Sequence, residues 1–286
     1  MPSPSQISVL ILTRDEEENL PYCIESLQAI QAQVFIIDSG STDKTLEIAS
    51  QFGCTILKNA WVNHATQLNW AIEHAQITTP WTMRMDADER LTPELAEEIN
   101  GKLISMPASV SGLMVKRRVY FWGRWIKHGG YYPTWLTRIW RTGAGQCESR
   151  WMDEHMVVKP NNIERLENDI IDENHKGLTF WISKHNHYAD KEIKDLMRIA
   201  DEGSSSTGLN QQAGRKRWLK ENIYGQLPLF FRAWLYWFSR YFLQLGFLDG
   251  IPGLVFHFLQ GFWYRFLVDA KIYEARKLNS TPPNKP

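Results

Sequence analysis

Three acids in this 286-residue chain stand where a carboxylate is costly unless it is used. Asp38 follows the apolar run 34–37, and Asp86 and Asp88 follow WTMRM in the segment MDADE, residues 85–89. A carboxylate directly after a buried strand can accept hydrogen bonds from the N–H or O–H groups of a ligand. A turn alone would be served by Gly, Asn or Ser without placing an acid there. Two carboxylates one residue apart on extended chain can hold a hard divalent cation together with a diphosphate, because Mg2+ is usually bound by one or two carboxylates plus phosphates. Asp43, in the same turn as Asp38, reads instead as a cap for the helix that follows.

The elements around these acids give them their position. From Ile7 onward, short apolar runs alternate with amphipathic stretches, as a βαβ architecture requires. Residues 7–12 read as a buried strand, 16–30 as a helix with acids in its first turn, where the helix dipole favours them, and 34–37 as the second strand. A helix over 43–52, a strand near 55–57, a helix over 65–75 and a strand over 81–85 complete the first half. Parallel sheets present ligands at the carboxyl ends of their strands, and Thr13, Asp38 and Asp86 all lie just past such ends. Beyond Pro107, GLMVKRRVYFWG and residues 135–140 continue the sheet with antiparallel members, and 178–200 reads as a helix. The class expected is α/β, a Rossmann-like mixed sheet with flanking helices and a C-terminal amphipathic helical extension. The domain bounds expected are 1–200 for the sheet domain, 201–215 for a linker containing GSSSTG, 216–279 for the extension and 280–286 for a disordered tail.

Composition narrows the class. With 43% hydrophobic and 22% charged residues the chain is an ordinary globular mixture, which excludes disordered, collagen-like and coiled-coil chains. Residues 1–100 carry 15 acids against 5 bases and residues 101–286 carry 17 against 27. The acidic part suits a metal, and the basic, ring-rich part suits phosphates, anionic lipid or nucleic acid; solvated faces of opposite sign are the plain alternative. Cys23, Cys54 and Cys147 are too few and too widely spaced for a disulfide framework or a zinc site. MPSPSQ followed at once by ISVLILT has neither a basic n-region nor a cleavage site, so a cytoplasmic protein is expected.

The C-terminal part concentrates rings: 15 of the chain's aromatic residues fall between Phe230 and Phe266. Arg232, Arg240, Asp249 and Arg265 interrupt it, and its longest stretch free of Lys, Arg, Asp and Glu is 15 residues, short of the ~20 a spanning helix needs. Rings mixed with arginine at helical spacing suit a helix lying in the membrane interface, with RKRWLK, residues 215–220, attracting anionic lipid. A helical hairpin capping the core or forming a dimer interface is the alternative.

Taken in order, ILTRDEEENL, IIDSGSTDKT and MDADE resemble the nucleotide-sugar domain of family-two inverting glycosyltransferases over about residues 6–160. Within that family the chain looks like the lipopolysaccharide-core and exopolysaccharide β-glucosyltransferase subgroup, whose tail the stretch from Leu245 also resembles. The resemblance implies the GT-A fold and a set of roles. Thr13 and Glu16 would line the nucleotide site, Asp38 would contact the nucleobase, and Asp86 and Asp88 would meet ribose, diphosphate and a Mg2+ or Mn2+ ion. Gln67 and Asn69 would lie near the donor diphosphate or sugar. Two departures bear on nucleobase choice: the usual Tyr-Asn is Arg14-Asp15, and the common Asp-Asp-Gly-Ser is Asp38-Ser39-Gly40-Ser41.

An inverting transfer needs a base to take the acceptor hydroxyl's proton. In related sugar transferases a Glu in a His-Glu or Asp-Glu pair lies before a short strand, and ESRWMDEHMVV, residues 148–158, puts Glu154 there, with Asp153 as its rival. Either acid could instead pair with Arg138, Arg141 or Arg150. Sugar rings stack on aromatic faces while cations meet phosphates, so Trp125, Tyr131 and Trp135, with Arg138, are the acceptor-site candidates, and Gly129-Gly130 permits a tight turn beneath them. His185-x-His187 inside a helix faces two ways and suits packing better than chelation.

The function so implied is transfer of a sugar, from a UDP-hexose-type donor, to a membrane-held glycan or lipid-linked acceptor. The enzyme would be peripheral on the inner face of the cell membrane, with no nucleic-acid partner. One rival, a sugar-1-phosphate nucleotidyltransferase, would begin with a glycine-rich loop, and residues 13–20 contain no glycine. The other is a catalytically inactive, membrane-associated sugar-nucleotide-binding protein, against which the intact Asp38, Asp86, Asp88 and Glu154 stand.

Overall fold

In the computed structural model, which describes residues 5–148, 155–202 and 226–280, the run ISVLILT forms strand β1, Ile7–Thr13. The further strands are β2 (Gln33–Asp38), β3 (Thr55–Lys58), β4 (Trp81–Asp86), β5 (Glu89–Leu91), β6 (Gly112–Phe121), β7 (Arg124–Trp125), β8 (Thr134–Arg141), β9 (Gly145–Cys147), β10 (Met156–Val158) and β11 (Ile163–Glu173). The helices are α1 (Leu20–Gln28), α2 (Thr45–Gln51), α3 (His64–His74), α4 (Pro93–Lys102), α5 (Gly177–Glu202), α6 (Phe231–Phe238), α7 (Gly250–Phe256) and α8 (Tyr264–Ser280). Two units result: Met1–Gly123 with Tyr132–Lys176, and Arg124–Tyr131 with Gly177–Pro286.

The first unit is a mixed sheet in the order β3-β2-β1-β4-β8-β6-β11-β5. β3, β2, β1 and β4 run parallel, β8 is antiparallel to both β4 and β6, β11 is parallel to β6, and β5 is antiparallel to β11. Because successive strand residues face opposite sides, β1 serves two cores. Val9 and Ile11 pack with Met83 and Met85 of β4, Leu20, Ile24 and Leu27 of α1 and Leu95 and Ile99 of α4. Leu10 packs on the other face with Phe35, Ile37, Leu68 and Ala71 of α3, and Trp140. Each such side chain contributes about 1.5–3 kcal/mol by burial. The parallel register then sets Thr13 beside Asp38 and Leu12 beside Asp86, which brings the chemically interesting residues to one sheet edge.

Local structure departs from the sequence pattern in two places here. α1 begins at Leu20 with Pro21 in its first turn, where a fixed φ and a missing N–H cost nothing, so Glu16, Glu17 and Glu18 precede the helix. The reason is tertiary: the N–H groups of Asp15, Glu16 and Glu17 donate to Ser41 Oγ, Thr45 Oγ1 and Asp43 Oδ2, which ties this turn to the β2–α2 loop. Asp43 does have a structural role, but it lies one residue outside the N-cap, accepting from the N–H groups of both Thr45 and Glu17.

The second unit is helical. Tyr264 and Val268 of α8 pack with Ala189 of α5, Tyr264 donates to Glu192 at 2.6 Å, and the buried Arg232 donates to Asp269 from Nε at 2.7 Å. The ring-rich region is one bent run: α6 continues through a π-helical turn, Ser239–Leu243, then breaks before a 3-10 turn, Gly246–Asp249, and resumes as α7, a second π-helical turn, His257–Trp263, and α8. The helix after the break starts at Gly250, since Pro252 is well placed in a first helical turn. Helix α5 and residues 124–131 belong to this unit, so the boundary near residue 200 moves to 176. The expected linker from residue 203 on, RKRWLK and the tail from 281 lie outside the described residues. Among those described, no single helix is long and apolar enough to cross a membrane.

Asn63 caps α3 by accepting from the Thr66 N–H at 2.8 Å. Asn63→Ala should lower the unfolding free energy in urea by about 1 kcal/mol, while Asn63→Asp stays near wild type. Equal losses in the two variants would show that the cap is not the cause.

Candidate active site

The carboxyl ends of β2 and β3 border a cavity of about 320 Å3 lined by Asp38, Ser39, Gly40, Ser41, Leu46, Lys58, Asn59 and Ala60. Asp38 is buried and already organised. Its Oδ2 accepts from the N–H groups of Gly40 (2.9 Å) and Ser41 (3.0 Å), and its Oδ1 accepts from Thr13 Oγ1 (3.2 Å) and from Ser41 Oγ. Gly40 adopts φ 97°, which a residue with a Cβ rarely does, and this lets the loop fold back over the carboxylate. Gln67 is buried at the cavity's flank and exchanges hydrogen bonds with Asn59, whose Nδ2 donates to it at 2.8 Å. Asn69 is used elsewhere, bridging to the backbone of Cys147.

Across β1, at the end of β4, Asp86 sits beside two guanidinium groups. Arg138 Nη2 donates to its Oδ2 at 3.1 Å, Arg84 reaches its Oδ1 at 3.4 Å, and His64 Nε2 lies 3.8 Å from the same oxygen. Burial works against its ionisation, but Arg84 and Arg138 hold its pKa well below the usual carboxylate range. The same Arg138 guanidinium pairs with Glu89, which is buried and accepts a hydrogen bond from the Asp86 N–H at 3.0 Å. Burial pushes the Glu89 carboxyl up to about 7 against the pull of Arg138.

Asp88 is held by the end of β11. Its Oδ2 accepts from Asn174 Nδ2 at 3.0 Å, and its backbone carbonyl accepts from the Glu173 N–H at 2.9 Å. Glu16 lies in its electrostatic neighbourhood: burial raises the Glu16 pKa and Asp88 adds to the rise, while Lys176 at 2.7 Å and Asn19 at 2.8 Å oppose it. Among the described residues no group of three or more His, Cys, Asp or Glu side chains could hold a metal unaided.

The structure thus assembles Thr13, Glu16, Asp38, Gln67, Asp86 and Asp88 along one edge of the first unit. Arg138, expected at the acceptor, is instead buried and bound to Asp86 and Glu89. Arg141 donates to the carbonyls of Met106, Pro107 and Val110 and covers the Trp81 ring at 4.0 Å. Glu154, Asp153 and Arg150 lie outside the described residues. Trp135 is in the first unit, with Arg165 at 4.9 Å and Lys116 at 5.7 Å over its ring; Trp125 and Tyr131 are in the second. His185 stacks on Trp181 at 3.5 Å, donates to its carbonyl and is pushed down to about 4 by burial, so it is a neutral packing residue. The sequence pattern passed over Arg84, His64, Glu89, Asn174 and Lys176. Glu89 had a signal, since it is a third acid directly after Asp86 and Asp88.

Residues 8–149 match the model of glycosyl transferase family 2. The lipopolysaccharide core biosynthesis glycosyltransferase LpsC of Rhizobium meliloti is 29% identical over 287 aligned positions, covering 96% of this chain and 95% of that protein. A glycosyltransferase of Rickettsia typhi is 33% identical over 94 residues, 33% of this chain and 32% of its own length. Among solved structures, S. aureus TarS 1–349 aligns over 94% of this chain and 92% of its own at 11% identity and a TM-score of 0.49. Glucosyl-3-phosphoglycerate synthase from Mycobacterium tuberculosis aligns over 41% of this chain and 45% of its own, at 18% identity and a TM-score of 0.33.

Removing Arg138 leaves Glu89 buried without its cation, and breaking a buried pair in this way typically costs about 3–5 kcal/mol. Arg138→Met should therefore unfold at lower urea, and the deficit should grow from pH 5 to pH 8. The sign follows from linkage: a carboxyl whose folded pKa exceeds its unfolded value binds its proton more tightly when folded, so stability falls as pH rises between the two values. A loss that is small or flat with pH would remove Arg138 from the centre of this cluster.

Proposed function

The chain belongs to glycosyl transferase family 2 and has an α/β fold of the GT-A type, and from that premise we propose a metal-dependent, inverting transfer of a sugar from a nucleotide donor. A UDP-hexose is the proposed donor and a membrane-held glycan or lipid-linked molecule the proposed acceptor, in assembly of lipopolysaccharide or another cell-surface polysaccharide. The observation that carries the reading is convergence: Thr13, Asp38, Asp86, Asp88 and Glu16, from separate strand ends and turns, come to one edge of one sheet, where Asp38 lines a cavity. The full-length likeness to a lipopolysaccharide core transferase supports the acceptor class.

Each residue then has a physical task. The cavity between Asp38 and Asn59 takes the nucleobase and ribose, with Lys58 at its wall. Asp38 fixes the loop that presents Ser39, Gly40 and Ser41, so the site is formed before a ligand arrives. Asp88 would hold the Mg2+ or Mn2+ ion, assisted by Asp86, which Arg84 and Arg138 keep ionised. When bound, that ion would neutralise charge developing on the departing diphosphate. Glu154, with Asp153 as its rival, takes the proton of the acceptor hydroxyl as it attacks the anomeric carbon, and one displacement inverts that centre. Trp135, Trp125 and Tyr131 are proposed to stack on acceptor sugars, and the chain is proposed to work peripherally on the cytoplasmic membrane face.

Two variants test the assignment in one calorimetric series. UDP should bind wild type only with Mn2+ or Mg2+ present, and Asp88→Ala should lose that binding by at least about tenfold; undiminished binding without metal contradicts the site. Glu154→Gln should bind UDP as wild type does yet transfer sugar about 100 to 10,000 times more slowly, the usual worth of a general base. Normal turnover would move the base to Asp153 or elsewhere.

A further inference from the structure

Between Arg240 and Arg265 the second unit has no Lys, Arg or Glu, one Asp and one His. Both of these are inside: Asp249 is 2% exposed and His257 is 1% exposed. Asp249 accepts from the His128 N–H at 3.0 Å, meets His128 Nδ1 at 2.6 Å, and lies 3.6 Å from His257 Nε2. Glycines make room for this interior, since a Cβ at Gly129 or Gly246 would overlap the His257 ring and one at Gly253 would overlap Asp249. The large apolar side chains face the other way. Leu243 is 71% exposed and Ile251 is 74% exposed, with Leu245, Leu248, Leu254 and Phe258 exposed between and beyond them.

Ionisable groups within and leucines outside is the reverse of a surface built for water. The backbone enforces it. The arms Phe231–Leu243 and Gly246–Leu278 meet at 70°, and at the joint Leu245 holds φ 61°, a left-handed conformation unfavourable for a residue with a Cβ. Such strain persists only where neighbours impose it, and here Gly129 N–H donates to the Gln244 carbonyl at 2.9 Å while Leu248 N–H donates to Leu245 at 3.0 Å. Cations stand at the margins of the uncharged stretch. Arg240 lies 4.0 Å over Tyr131 and 4.9 Å over Tyr236, and Arg265 lies 5.3 Å over Tyr264 and 5.5 Å over Tyr236. Apolar elbow first, then a band of tyrosine and arginine, is the order in which a bilayer presents acyl chains and headgroups.

We infer that the elbow, residues 242–258, is a wedge that enters the headgroup–acyl boundary of a lipid bilayer. This deepens the peripheral association proposed above and rests on it for its purpose, since a membrane-held acceptor is what the wedge would bring within reach. A lipid surface is favoured over a second copy of the chain because copy-to-copy interfaces carry polar groups paired across a rim, and here the ionisable groups of the elbow are turned inward. Attachment is therefore by apolar insertion, so zwitterionic lipid suffices and salt has little influence.

Flotation of the full-length protein with phosphatidylcholine vesicles tests this. Wild type should float, with a partition that changes less than about twofold between about 0.1 and 1 M NaCl. Leu243→Glu and Ile251→Glu, whose side chains are already mostly outside the fold, should each reduce flotation at least about tenfold with unchanged circular dichroism. The inference is overturned if wild type ignores neutral vesicles, if it binds only anionic ones and is released by salt, or if both Glu variants float as wild type does. A wild-type dimer in light scattering that Ile251→Glu dissociates, without vesicle binding, would assign the elbow to self-association instead. UDP titration of the same proteins keeps the two readings apart: intact nucleotide binding with failed flotation sinks the wedge alone.

Discussion

The guanidinium of Arg138, itself buried, is shared by the buried Glu89 and the partly exposed Asp86, and the carboxyl edge of the sheet is arranged around that sharing. Arg138 comes from β8, which lies antiparallel between β4 and β6, so it reaches the end of β4 from the side. It binds Asp86 and Glu89, and Glu89 accepts from the Asp86 N–H, which closes the four residues into a tight turn. Glu89 opens β5, whose pairing with β11 sets Asp172 opposite it and brings Asn174 to Asp88. Lys176, just beyond, reaches Glu16. A buried charge without its partner costs several kcal/mol, so this chain of contacts fixes where Asp88 stands more firmly than the local sequence of the turn could.

The sheet edge was legible because parallel strands leave little choice. A buried β1 flanked by β2 and β4 must end level with them, and the residues just past their apolar runs are Thr13, Asp38 and Asp86. Arg138 was misread for a physical reason. In a strand where rings and cations alternate, the pattern WLTRIW suits a ligand-facing surface as well as a buried one, and only the pairing of β8 with β4 shows that the cation is opposite two acids. Glu16 was placed in a helix because acids favour a first turn, yet contacts from Ser41, Thr45 and Asp43, about 26 to 29 residues away along the chain, claimed those N–H groups first. Hydrogen bonds of that range leave no periodic trace.

In the second unit, composition was a better guide than periodicity. Rings mixed with arginine at helical spacing marked a helical extension, and it is there as two arms. What spacing could not give was which side of each arm faces inward. Aromatic and aliphatic residues occur all round both, so the decision falls to four buried ionisable groups, Arg232, Asp249, His257 and Asp269. Arg232 with Asp269 joins the first arm to the last helix, and Asp249 with His128 joins the elbow to the segment that carries Trp125 and Tyr131.

That second tie bears on how an acceptor would be met. Trp125 and Tyr131 flank His128, Gly129 and Gly130, and this segment is fastened to the elbow by Asp249, by the Gly129–Gln244 hydrogen bond and by Arg240 donating to the Gly130 carbonyl at 3.1 Å. Tyr131 is itself clamped between Arg240 and the edge of Phe256. A ring held on two sides loses little freedom when a ligand stacks on its neighbours, so its ordering is complete before binding. Because these fastenings are made within one unit, the aromatic segment and the exposed apolar elbow are parts of a single rigid piece. Whatever orients the elbow orients the rings with it.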